Sequence, residues 1–102
     1  MKILIADDEP VSRRLIERTL ERYGYEVITA GDGAAAILEL IKPDGPRLAL
    51  IDWMMPELDG PEVCRQLRAR QGSPYVYMLL LTSKITPIET GASSLENVLI
   101  SC

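Results

Sequence analysis

Histidine is absent from this 102-residue chain, which removes Ser-His, Cys-His and His-metal chemistry together. Basic residues are in the minority, with 11 Lys+Arg against 15 Asp+Glu and a formal net charge of −4. A surface of that sign does not neutralise phosphates, so no nucleic-acid partner is expected. Cysteine occurs only twice, too few for a disulfide framework or a four-ligand zinc site. Cys64 reads as a small buried hydrophobe and Cys102 as a free thiol at a frayed end. No run approaches the ~20 apolar residues of a membrane span. The apolar start at Ile3–Ala6 is cut by Asp7 and Asp8, too soon for a signal peptide. No membrane partner and a reduced, cytoplasmic setting are the expectation.

What is present is an ordinary globular share of apolar residues, 47%, enough for one domain with one core. Lys2–Ala6, Leu48–Ile51 and Val76–Leu81 are continuous apolar runs, the mark of strands covered on both faces of a parallel sheet. Tyr25–Thr29 is more polar and suits an edge. Between them lie helical patterns. Pro10–Tyr23 puts Leu15, Ile16, Thr19, Leu20 and Tyr23 on one face. Arg13, Arg14, Arg18 and Arg22 fall on a solvated face, with Glu17 spaced to pair with Arg13. Gly24 ends this helix. Ala34–Ile41 shows Ala34, Ile37, Leu38 and Ile41 together, before Pro43. Asp59 can cap a third helix with Glu62 as its capping-box partner, Val63 and Leu67 facing inward. The order β-α-β-α-β-α-β predicts an α/β, doubly wound parallel sheet.

In such sheets chemistry sits at the carboxyl ends of the strands. The first strand ends at Asp7, Asp8 and Glu9, the third at Asp52, and the fourth at Thr82, Ser83 and Lys84. Like charges about 4 Å apart repel by about 4 kcal/mol at an effective dielectric of about 20. A divalent cation relieves that repulsion, and an all-oxygen site suits Mg²⁺. Asp8 is also placed to cap the following helix. Asp52 beside such a cation can act as a nucleophile toward a phosphoryl group, with the Thr82 hydroxyl near its oxygens. Met54, two residues past Asp52, can add its main-chain carbonyl as an oxygen ligand.

The Asp7-Asp8 pair, the run Asp52-Trp53-Met54-Met55-Pro56-Glu57-Leu58-Asp59-Gly60 and the Thr82-Ser83-Lys84 ending resemble the receiver domain of bacterial response regulators in two-component signalling. The resemblance covers Met1 to about Lys84. It implies a flavodoxin-like (βα)₅ fold and Mg²⁺-dependent transfer of phosphoryl from a sensor histidine kinase or phosphotransfer protein to Asp52. It also implies Asp7, Asp8, Asp52 and the Met54 carbonyl as metal ligands, and Thr82 as the switch hydroxyl. Such a domain is not a classical enzyme; at most it catalyses its own phosphorylation and dephosphorylation. The alternative is a pseudo-receiver that binds a kinase or another receiver without being phosphorylated. A phosphohydrolase with an aspartate nucleophile is disfavoured, because Met54 stands where a second Asp belongs.

Residues 85–102 depart from that pattern. The family's fifth strand, ending in Lys-Pro, and its last helix are missing or replaced, so phosphoryl transfer is expected to be impaired. Ile85–Glu89 can be encoded by bases that read Asp-His-Pro-Asp-Arg one frame over, which suggests an out-of-frame tail. A sheet without its last strand and helix leaves an apolar edge open. The expectation is a homodimer, with Val98–Ile100 exchanged between chains or used as a makeshift strand.

Overall fold

A computed structural model of the chain describes the main chain of residues 1–72, 74–87 and 93–102, with side chains outside 82–100. The elements run β1 (Lys2–Ala6), α1 (Pro10–Arg22), β2 (Glu26–Ala30), α2 (Gly33–Leu40), β3 (Leu48–Asp52), α3 (Gly60–Ala69), β4 (Tyr77–Pro87) and β5 (Ser93–Ser101). They form one sheet in the order β2-β1-β3-β4-β5. The first four strands are parallel, so the expected doubly wound α/β architecture stands, incomplete on one side. The polar β2 takes the edge anticipated for it.

The helices are capped by carboxylates. Glu9, not Asp8, accepts from the Ser12 N–H at 2.7 Å, Asp32 from Ala35 at 2.7 Å, and Asp59 from Glu62 at 2.9 Å. The Glu62 side chain does not return to its cap; it turns to Arg65 instead.

Strand alternation divides the interior into two faces. Leu4, Ala6, Ala49, Ile51, Met78 and Leu80 point to one face and close with Leu40, Val63 and Leu67 of α2 and α3 into a continuous core. Ile3, Ile5, Leu50, Leu79 and Leu81 point to the other, where α1 is the helix packed on the sheet among the described residues. α1 contains no buried residue, and Leu15 and Tyr23, expected to face inward, are 68% and 78% exposed. The α2 face also differs from expectation: Gly33, Ala36 and Leu40 are buried, while Leu38 lies outside. Several small residues in α2 leave the apolar stripe ambiguous by about one position, and close approach to the sheet selects Ala36 over Leu38.

The β4 edge is not left open. β4 runs on to Pro87, and β5 pairs antiparallel with it from Pro87↔Ser93 to Leu79↔Ser101. This direction carries the chain away from the carboxyl ends of the parallel strands, and Cys102 N–H donates to Met78 O at 3.1 Å near the start of β4. Cys102 is therefore not a frayed end. It packs against the core, paired with Cys64.

Candidate metal and phosphoacceptor site

β1 and β3 are neighbours in the sheet but not in sequence, so the crossovers leaving them diverge and open a crevice at their carboxyl ends. Asp7 follows β1 and Asp52 ends β3, which places both in that crevice. The expected convergence is present: Asp7, Asp8 and Asp52 each offer a carboxylate oxygen, all within 4.8 Å of one another. Asp7 is 5% exposed, Asp52 half-buried and Asp8 open to solvent.

Local hydrogen bonds hold the acidic turn. Asp7 N–H donates to Ala30 O at 3.1 Å, extending the β1–β2 ladder by one residue. Asp7 Oδ1 accepts from the Glu9 N–H at 2.9 Å. Arg13 Nη1 donates to the Asp7 main-chain oxygen at 2.8 Å and lies over the β2–α2 turn, 3.2 Å from where a Cβ on Gly31 would stand. Helical periodicity puts Arg13 on the solvated face, spaced to pair with Glu17. Its long side chain reaches back over one turn to the acidic loop instead, a contact that spacing alone does not reveal.

The segment after Asp52 is equally constrained. Trp53 N–H donates to Leu81 O and Gly60 N–H to Trp53 O, both at 2.9 Å. A Cβ on Gly60 would stand 2.7 Å from Asp52 O, so only glycine lets α3 start so close to β3. Glu57 adopts φ +67°, with Leu58 N–H closing on Pro56 O at 2.8 Å. That is a left-handed conformation an L side chain resists. Met55 is buried, whereas the Met54 side chain is 76% exposed. Asp8, Trp53, Met54, Met55, Pro56 and Asp59 line a cleft of about 520 Å³ beside the carboxylates. The Thr82 side chain lies outside the described residues; its main chain continues β4 one step past Leu81, which pairs with Asp52.

Electrostatics single out Asp52. Burial, then the charge of Asp7, raises its pKa from 3.8 to about 6, with Asp8 adding and the Met54 N–H opposing. Like charges no more than 4.8 Å apart repel by at least roughly 3.5 kcal/mol at an effective dielectric of about 20. The donor set fits a hard divalent cation. Asp7, Asp8 and Asp52 would supply carboxylate oxygens, the ligand type Mg²⁺ takes.

A family model described as "Response regulator receiver domain" matches residues 3–95. The chain is 44% identical over 94 residues to a "Probable transcriptional regulator ycf27" of Galdieria sulphuraria, covering 89% of this chain and 36% of that protein. It is 47% identical over 83 residues to the "Alkaline phosphatase synthesis transcriptional regulatory protein PhoP" of Bacillus subtilis, covering 81% and 33%. The chain thus spans about a third of the length of these curated relatives. Among solved structures it resembles the N-terminal domain of a response regulator receiver protein from Methanoculleus marisnigri, at TM-score 0.73 and 34% identity over 86% of this chain and 71% of that one. It also resembles response regulator TrrA of Thermotoga maritima, solved in complex with Mg²⁺ and BeF, at TM-score 0.72 and 32% identity over 81% and 70%.

Proposed function

The chain belongs to the response regulator receiver domain family of two-component signalling, and from that premise we propose that Asp52 accepts a phosphoryl group at a divalent-cation site. The observation that carries this reading is the meeting of Asp7, Asp8 and Asp52 within 4.8 Å at the carboxyl edge of the sheet. In the proposed step an ionised Asp52 oxygen attacks phosphorus. The bond from phosphorus to a donor histidine nitrogen breaks, and that nitrogen leaves with the electron pair. The donor is a sensor histidine kinase or phosphotransfer protein. Asp7, Asp8, Asp52 and the Met54 carbonyl would hold Mg²⁺, which would offset charge on the phosphoryl oxygens. Thr82 then follows the phosphoryl group as the switch hydroxyl. The domain signals rather than turning over a substrate, in the cytoplasm.

The experiment is phosphorylation of the full chain by a small acyl-phosphate donor, followed by mass mapping. The reading requires one Mg²⁺-dependent phosphoryl group on Asp52, absent after chelation and in Asp52→Asn. No labelling, or labelling that persists in Asp52→Asn, overturns it, and the first result favours a non-phosphorylated interaction module. We read the half-covered α1 face as the surface of a homodimer, with Leu15 and Val11 exposed at 68% and 74% at its centre. Sedimentation at high concentration should show a dimer; a lone monomer contradicts it.

A further inference from the structure

The only two cysteines of the chain, far apart in sequence, come together in the fold. Cys64 sits on the inner side of α3 at 7% exposure, in the same core cluster as Val63 and Leu67. Cys102 is half-buried and packs on the same cluster. Their Cα atoms are 6.5 Å apart, inside the ~4.4–6.8 Å range of protein disulfides. The approach is built by other contacts. Cys102 N–H donates to Met78 O at 3.1 Å, which fixes the end of β5 against β4. Arg68, one helical turn beyond Cys64, donates from Nη2 to the Cys102 main-chain oxygen at 3.0 Å, and its guanidinium lies 4.7 Å from the Tyr75 ring centroid.

We propose that Cys64 and Cys102 are a reversible thiol–disulfide pair whose closure fastens β5 to α3, and through β5 the whole of β4. The oxidant is a low-molecular-weight disulfide. Cys102, the more exposed of the two residues, attacks it as thiolate; the small molecule's S–S bond breaks, one thiolate leaves and takes up a proton, and a mixed disulfide remains. Cys64 then attacks the Cys102 sulfur and expels the second thiolate. The two protein thiols lose two protons and two electrons, and the small disulfide becomes two thiols. A thiol reductant reverses both steps. In a reducing compartment such a bond is conditional, which makes it a device for setting how firmly β5 is held. Because β5 pairs with β4 at Thr82↔Val98, the bond acts on the strand that carries Thr82.

The test uses the full chain in glutathione redox buffers, folded and in urea, with free thiols trapped by N-ethylmaleimide and read by intact mass and peptide mapping. Whatever a disulfide adds to folding, folding adds to disulfide formation, so closure should be favoured roughly 30-fold or more in the folded chain over urea. The expected product carries an intrachain bond from Cys64 to Cys102, with no covalent link between chains, and its β4–β5 amides exchange hydrogen more slowly than in the reduced form. In Cys64→Ser the redox dependence of exchange should vanish. Equal closure in urea, glutathione adducts on both cysteines, an interchain bond, or exchange indifferent to redox state each overturn the proposal.

Discussion

The two faces of the sheet are built from the same kind of residue and end in different states. On one, α2 and α3 lie side by side and drive Leu40, Val63 and Ile51 to complete burial. On the other, α1 rests on β1 and β2 with none of its own residues buried; Ile3 and Ile5 beneath it are covered, but Leu50, Leu79 and Leu81 are only half-buried. The site straddles this divide. Asp52 shares the α1 side with Leu81, Leu15 and Ile16, around a cavity of about 390 Å³. The loop that follows Asp52 leads into α3 on the closed side. Stability is therefore concentrated on one face, while the chemistry opens toward the other.

The largest test of that contrast is a matched pair of truncations. Leu40→Ala, from a side chain with no exposure, should cost about 3 kcal/mol in urea unfolding. Leu15→Ala, at 68% exposure, should stay within about 0.5 kcal/mol in the monomer. Equal losses would mean that α1 buries as much as α2. Next, Gly60→Ala forces a Cβ to 2.7 Å from Asp52 O and should cost about 2 kcal/mol through overpacking. It should also weaken cation binding, because the atom it displaces belongs to Asp52.

Asp52 offers a smaller effect with a pH signature. Its carboxyl titrates near 6 in the folded chain against 3.8 ordinarily. Between those values the folded state holds more protons than the unfolded one, so stability falls as pH rises from about 4 to above 6. Asp52→Asn removes that fall. Its metal-free form should be more stable than the parent by about 1 kcal/mol at pH 8, after discounting for solvent screening. At pH 4 the two should unfold alike; a stability gap independent of pH would assign the effect to packing. Smallest is Glu57→Gly, which relieves the left-handed φ of +67° and should add about 0.5 kcal/mol, set by thermal unfolding.

Sequence reasoning read the strands and the acids well because both signals are local. Ile3–Ala6 and Leu48–Ile51 are apolar without alternation, which suits the middle of a covered sheet. Asp7, Asp8 and Asp52 converge because each ends or follows a strand whose place the topology fixes. It read the helices less well. Periodicity shows which residues of α1 and its C-cap share a face, but not whether that face meets anything, so it points Leu15 and Tyr23 inward although both are exposed. Arg13 was missed for a related reason: periodicity places its Cα, and the length of its side chain decides where the charge goes. The antiparallel β5 and the Cys64–Cys102 approach depend on contacts distant in sequence, which no local pattern encodes.

The account rests on three carboxylates acting as one cation site. Calorimetric titration of Mg²⁺ into the full chain at pH 8, repeated with Asp7→Asn, Asp8→Asn and Asp52→Asn, tests this directly. One ion per chain, with binding lost or weakened at least about tenfold in each variant, is the predicted result. Saturable binding that all three variants retain, or none in the parent, would contradict it.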